Sequence, residues 1–144
     1  MTGPGRRPRA DWEQRVEHAI RHLHSAWDLQ ENSLCRIAAV QDRAAHTYDW
    51  RPGAEWLALR DLVEEAVKLA GDLLDPAHET FLRRWVATGN IAAVAREMGK
   101  DRSHLSRDYR PRVVMVVTDV FMSLTGHGRR RMRNSQPRQS RRTR

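Results

Sequence analysis

A short run of arginine and serine residues between positions 102 and 110 carries the side chains best suited to chemistry in this sequence. An arginine can donate two parallel hydrogen bonds to O6 and N7 of guanine, and a serine can bond to a base or to a phosphate. Leu105 is the one aliphatic residue of the run, so we expect it to face inward. Lys100 and Arg112 flank the run and are expected to contact the DNA backbone. The residues expected to contact DNA bases are Arg102, Ser103, Ser106, Arg107 and Arg110.

The residues just before this run have the spacing of a helix followed by a tight bend. Gly99 supplies the backbone freedom for the bend, and Asp101 is expected to cap the next helix through its side-chain oxygen. Ala95 lies four residues before the glycine, where two crossing helices need a small side chain. The pattern predicts a helix-turn-helix, with an ordinary αα-hairpin as the alternative. The inner face of its first helix is predicted to be Ile91, Val94, Ala95 and Met98.

The same residues resemble a known family of DNA-binding proteins. The pattern of Thr88-Gly89-Asn90, Ala95, Met98-Gly99, Arg102 and Leu105 is similar to the DNA-binding end of the bacterial Fis family. The run Ser103 to Arg107 also resembles the recognition helices of small bacterial repressors. Lys100 and Asp108 depart from the pattern, because such motifs usually carry core residues at these positions, and Tyr109 can pack in place of Asp108. The resemblance implies a helix-turn-helix that reads double-stranded DNA.

The formal net charge of +8 is distributed unevenly along the chain. Residues 10–77 carry 7 basic and 13 acidic side chains, whereas residues 78–112 carry 8 basic and 4 acidic ones. Residues 1–9 add three arginines, and residues 126–144 add eight arginines and no acid. This separation predicts that the second half faces a polyanion and the first half faces away from it. The tail residues expected to contact the DNA backbone are Arg129, Arg130, Arg131 and Arg133.

Apolar periodicity predicts helices in the rest of the chain. Asp11 and Gln14 predict a capping box for a first helix, which should bury an apolar stripe from Trp12 to Trp27. A second helix is expected to begin after Asn32 or Ser33.

Two more helices are predicted before the motif. The third should bury a stripe that runs from Trp56 to Leu74. Asp75 and Pro76 predict the start of the fourth, because proline is favoured in the first turn after a capping residue, and Gly89 should end it.

The segment from Val113 to Leu124 is almost entirely apolar, and Pro111 is expected to separate it from the recognition helix. Valine favours a strand, but no partner strand is predicted, so we expect a helix. The protein is expected to act as a homodimer assembled at least partly through this segment, since one recognition helix reads only a few base pairs. The alternative is that the segment closes the chain's own core.

The predicted fold is all-α, a helical bundle with a C-terminal helix-turn-helix unit and disordered basic tails. Residues 1–10 are expected to form a disordered basic arm and residues 126–144 a disordered arginine-rich tail. The single domain between them, 11–125, divides into an acidic helical part (11–74), the helix-turn-helix unit (75–112) and the apolar helix (113–125).

Other chemistry has little support in the sequence. It contains no Walker loop, zinc-protease motif or nucleophile elbow, so neither an enzyme nor a cofactor is predicted. His18 and His22 have metal-ligand spacing, but no partner completes a site, and we expect a solvated face. Cys35 is alone and should be a buried thiol, which indicates the cytosol, and no apolar run is long enough to span a membrane.

The function these observations favour is that of a sequence-specific DNA-binding protein, a bacterial transcriptional regulator associated with the nucleoid in the cytoplasm. One alternative is a non-catalytic packaging or architectural protein, such as the small terminase subunit of a phage, in which the basic tail supplies the affinity. Another is a protein-interaction module of the transcription machinery that uses the acidic helices.

Overall fold

A computed structural model of the protein describes residues 8–128, and every regular element in that range is helical. The predicted all-α class is therefore confirmed. The elements are α1 (Arg9–Arg21), α2 (Ala26–Glu31), a 3₁₀ turn (Ser33–Arg36), α3 (Ala38–His46), α4 (Ala54–Gly71), α5 (Pro76–Thr88), α6 (Ile91–Met98), α7 (Arg102–His104), a π turn (Leu105–Tyr109) and α8 (Arg110–Leu124).

Helix α4 lies at the centre of the fold and contacts α1, α2, α3, α5 and α8. Its inner side buries Leu59, Val63 and Ala66 completely, as the apolar periodicity predicted. Small residues such as Ala58 and Ala70 on the same helix are also fully buried, which lets neighbouring helices approach closely.

The first helix differs from the prediction at both ends. It begins at Arg9, and the expected capping box at Asp11 does not form. The guanidinium group of Arg9 bonds to Asp119 of α8 at 2.6 Å, so a contact with the distant end of the fold orders residues assigned to the disordered arm. The helix ends at Arg21, and Ser25 starts α2 by accepting a hydrogen bond from the Asp28 amide. Trp27 therefore lies on a separate helix with 77% of its surface exposed, and its predicted burial is wrong.

Asn32 has the predicted capping role, but it caps the 3₁₀ turn. Its Oδ1 accepts a hydrogen bond from the Leu34 amide at 2.9 Å, and its Nδ2 donates to the Arg15 carbonyl of α1 at 3.0 Å. Helix α3 begins only at Ala38, later than expected. The amide side chain of Asn32 thus holds the α2–α3 connection against α1.

Helix α5 has the bounds that its end signals predicted. The Asp75 carboxylate accepts a hydrogen bond from the His78 amide at 2.9 Å, and Pro76 follows in the first turn. Gly89 ends the helix in the left-handed conformation with φ of 68°. Phe81 and Trp85 are fully buried on its inner side. Helix α5 packs against α6, and the centroid of the Phe81 ring lies 5.8 Å from that of the Tyr109 ring in the π turn.

The chain is helical without a break from Arg102 to Leu124, so Pro111 does not separate two helices as predicted. In a regular α-helix its ring would clash with the carbonyl four residues earlier. Here that carbonyl lies in the π turn, where the Arg110 amide bonds to Leu105, five residues back. The wider turn lets the helix continue through the proline.

The helical state predicted for the segment from Val113 to Leu124 is confirmed. Its valines and Phe121 pack against α1 and α4 of the same chain, and Val117 and Phe121 have no exposed surface. The segment therefore closes the chain's own core, one of its two predicted roles. The monomer's own core covers Val117 and Phe121, and the homodimer expected through this segment stays a prediction.

Candidate nucleic-acid interface

The residues predicted to contact bases lie on three consecutive helical elements after α6. Arg102 and Ser103 are in α7, Ser106 and Arg107 in the π turn, and Arg110 at the start of α8. Local signals set the bounds of α6. The Asn90 side chain accepts a hydrogen bond from the Ala93 amide at 3.2 Å at the start of α6, and Gly99 ends it with φ of 65°. Ala95 is buried with 6% exposure, and Leu105 is completely buried. The inward positions of Ala95 and Leu105 and the left-handed Gly99 agree with the predicted register.

Asp101 precedes α7 but does not cap it in the expected way. Its carboxylate accepts a hydrogen bond from the Ser103 hydroxyl at 2.6 Å, and no full capping bond from a backbone amide is formed. The Ser103 hydroxyl, and after it the nearby His104 amide, hold the pKa of this carboxyl below its usual value. Ser103 therefore donates to Asp101 and keeps its oxygen lone pairs for an incoming donor.

The five residues predicted to contact bases do not share one environment. Arg102, Ser103 and Arg107 are exposed, whereas Ser106 and Arg110 are half-buried. Arg110 donates to both carboxylate oxygens of Glu17 on α1, at 3.1 and 3.3 Å. Residues 102, 106 and 110 are spaced by four, and they line one side of a cleft that α1 and the start of α6 close on the other. Three of the five residues predicted to contact bases therefore line this cleft, namely Arg102, Ser106 and Arg110.

The predicted backbone contacts fall into two groups. Lys100 and Arg112 are exposed and form no ion pair with another residue in the range 8–128. The remaining four, Arg129, Arg130, Arg131 and Arg133, lie outside the described residues. Two exposed cations therefore flank the segment that carries Arg102 and Arg107.

An aromatic cluster that the sequence analysis missed supports the π turn. The ring of Tyr109 stacks on His78 of α5 with a centroid distance of 4.5 Å and lies edge-on to His104 at 5.4 Å. Each histidine is paired with a carboxylate, His78 with Asp75 at 2.9 Å and His104 with Asp108 at 2.7 Å. Tyr109 packs against the core where Asp108 is exposed, so it takes the inward position of this turn. Sequence periodicity could not predict the contact with His78, because His78 lies on α5, far from Tyr109 in sequence.

His18 and His22 do not form the solvated face expected from the sequence. Their rings lie 4.6 Å apart and are half-buried. His22 approaches Asp28 at 3.3 Å, and His18 Nδ1 lies 3.0 Å from the Asn32 amide nitrogen. Among residues 8–128, no group of three or more histidine, cysteine or acidic side chains has an arrangement that would hold a metal ion.

Comparisons with protein-family models, curated proteins and solved structures found no match to this chain. The likeness to the Fis family therefore rests on the motif residues alone. Within the described part of the chain, no helix has both the length and the apolar character needed to cross a membrane.

Proposed function

We propose that this chain is a sequence-specific DNA-binding protein that regulates transcription. Its helix-turn-helix would consist of α6, the turn at Gly99, and a second helix made of α7 and the π turn. The observation that carries the proposal is the way the second helix exposes its polar side chains and buries its apolar one. Arg102, Ser103 and Arg107 are exposed, while Leu105 between them is completely buried. A helix that enters the major groove needs such an arrangement, with its base-reading side chains outward and its anchor in the core.

The charges around this face also favour DNA. Residues 78–112 hold twice as many basic as acidic side chains, 8 against 4. Each of the four acids contacts a side chain other than Arg102 and Arg107, and no ion pair within residues 8–128 involves either of these two arginines. The four contacts are Glu79 with Arg83, Glu97 with Arg84, Asp101 with Ser103, and Asp108 with His104.

Each side chain has a role that follows from its surroundings. Arg107 can donate paired hydrogen bonds to guanine, and Ser103 can accept a bond from an exocyclic amine. Arg102 is exposed and lines the cleft, so it can contact either a base or a phosphate. Lys100 and Arg112 would contact phosphates and set the position of the helix on the duplex. Arg110 can reach DNA only by leaving Glu17, so we assign base reading first to the exposed residues.

The proposal is tested by selecting bound sequences from random duplex DNA at near-physiological salt. We expect one motif to be enriched, and an inverted repeat would indicate that two copies of the chain bind together. Failure to enrich any motif, despite measurable binding, would contradict sequence-specific recognition.

Variants then test base reading on the selected site and on a scrambled duplex. Arg107→Ala should weaken binding to the selected site by roughly 5- to 150-fold, the effect expected for one bidentate contact of about 1–3 kcal/mol. It should weaken binding to the scrambled duplex much less. Arg36→Ala is the matched control, because Arg36 is exposed on the 3₁₀ turn, away from the motif. Equal weakening on both duplexes would show that Arg107 contacts only the backbone.

A DNA-packaging or architectural role is the second candidate, favoured by the eight arginines of residues 126–144. Such a tail binds phosphates without reading bases, through counterion release. Deleting residues 126–144 should flatten the dependence of log K on log salt by about 0.9 for each phosphate that the tail neutralises. If the deletion abolishes binding while Arg107→Ala changes nothing, the packaging role is the better description.

A further inference from the structure

The cleft beside the motif has a composition that base reading does not explain. Its volume is about 570 Å³, and it lies between α1, the segment Gly89 to Ala92 and the α7–α8 helix. Three arginines, Arg21, Arg102 and Arg110, line it together with one acid, Glu17. Glu17 is bonded to Arg110, whereas Arg21 and Arg102 have no ion-pair partner within residues 8–128. The cleft is therefore cationic, with two arginines unpaired.

The N-terminus of α6 opens into the same cleft. Ile91 and Ala92, the first two residues of this helix, line the wall. The first amides of a helix have no carbonyl partner within it, and the helix dipole is positive at this end. The Asn90 side chain bonds to the Ala93 amide only, so the two amides before it remain for another acceptor.

Trp85 provides an independent sign of a missing acceptor. It lines the cleft and is completely buried, yet its indole N–H has no hydrogen-bond partner among the described residues. Buried polar groups in proteins are nearly always hydrogen-bonded, because an unpaired donor loses its hydration without compensation. An acceptor oxygen from a ligand would satisfy this donor.

We propose that the cleft binds one phosphate group, held by Arg21, Arg102, the first amides of α6 and the indole N–H of Trp85. Glu17 holds Arg110 while the cleft is empty, and Arg110 turns to the phosphate when it binds. Arginine and helix N-termini are both preferred partners of phosphate. The phosphate belongs either to the DNA backbone, in which case the inference rests on the proposed function, or to a small phosphorylated molecule.

The indole signals in a ¹H–¹⁵N spectrum of the full chain provide the direct test. The sequence has five tryptophans, and Trp85→Phe identifies the relevant signal. Titration with inorganic phosphate should move the Trp85 signal, whereas chloride at equal ionic strength should not. The exposed Trp27 is the internal reference. If phosphate moves the Trp85 signal no more than the Trp27 signal, the inference is overturned.

Charge variants on α1 test the roles of the wall residues. Arg21→Gln should weaken phosphate binding about five- to tenfold, because it removes one charge-assisted hydrogen-bond donor. Arg15→Gln, the same change elsewhere on α1, should have little effect. Glu17→Gln should strengthen binding about three- to tenfold by removing a negative charge and releasing Arg110. Glu13→Gln is its control, since Glu13 pairs with Arg9 outside the cleft. An unchanged affinity in both Arg21→Gln and Glu17→Gln would overturn the assignment.

The same spectrum distinguishes the source of the phosphate and separates the two proposals. If a duplex of the selected sequence moves the Trp85 signal as inorganic phosphate does, the DNA backbone occupies the cleft. If inorganic phosphate moves the signal and the protein binds no DNA, the cleft serves a small phosphorylated molecule, and the DNA-binding proposal alone fails. If DNA binds and neither probe moves the signal, the DNA-binding proposal stands and the phosphate site does not exist.

Discussion

Gly89→Ala and Gly99→Ala are expected to destabilise the protein to different extents. Both glycines have left-handed backbones, with φ of 68° and 65°. That conformation costs an alanine about 1–2 kcal/mol, because its Cβ crowds the following carbonyl. A Cβ at position 89 would lie 2.5 Å from the carbonyl oxygen of Arg21, whereas a Cβ at position 99 would meet nothing within 4 Å. Only the first substitution therefore adds a clash with the backbone of another helix.

The expected loss of stability is the sum of two free-energy costs, the left-handed backbone of an alanine and, at position 89 only, the clash of its Cβ. Relieving the clash requires the end of α1 to move away from α5, and overpacking of this kind costs about 1–3 kcal/mol. We expect Gly99→Ala to lower the free energy of unfolding by about 1–2 kcal/mol and Gly89→Ala to lower it by about 2–5 kcal/mol. The entropy lost by the unfolded chain is the same for both variants, so it cancels in their difference.

Urea unfolding of the two variants at one pH measures this difference directly. The slope of free energy against urea should stay constant, which would show that the unfolded state is comparable. Gly99→Asn serves as a further control and should cost less than Gly99→Ala, because asparagine tolerates the left-handed region. If the two alanine variants lose equal stability, the contact between Gly89 and the end of α1 is wrong, and the cleft built on it must be revised.

Three other predictions concern pH, reactivity and the core. Desolvation lowers the pKa of His18 in the folded protein from 6.5, so the unfolded state binds more protons and the free energy of unfolding should fall as pH drops below 6.5. Unfolding measured across this pH range should show a smaller fall for His18→Gln, whereas His24→Gln should behave as the unchanged protein. Burial raises the pKa of the Cys35 thiol to about 11, so a thiol reagent should label it slowly until denaturant is added, and rapid native labelling would contradict its burial. Phe121→Glu should abolish folding as judged by circular dichroism, because the side chain has no exposed surface, whereas Met115→Glu at 37% exposure should stay folded; a folded, monomeric Phe121→Glu protein would refute the core assignment.

The protonation state of His18 explains the pH prediction in more detail. The Asn32 amide is oriented by two backbone bonds, since its Oδ1 accepts from Leu34 and its Nδ2 donates to Arg15. The same Nδ2 faces His18 Nδ1 at 3.0 Å, so that ring nitrogen must accept a hydrogen bond. Only a neutral imidazole can do so, and protonation would break the contact.

Features determined by neighbouring residues could be predicted from the sequence. The start of α5 at Asp75 and Pro76 and the left-handed ends at Gly89 and Gly99 depend on capping and backbone sterics within one turn. The burial of Leu105 followed from helical periodicity, for the same reason. The exposed face of the candidate site is therefore largely a local property.

Features that join distant parts of the chain were decided only in the tertiary structure. At the start of α1, Arg9 bonds to Asp119, which is 110 residues away. Arg110 is held in an ion pair by Glu17, which is 93 residues away. No periodicity in the sequence encodes which charges meet across such distances, because the packing of α1 against α8 sets them. The cationic cleft exists for the same reason: its arginines lie on helices that only the folded core brings together.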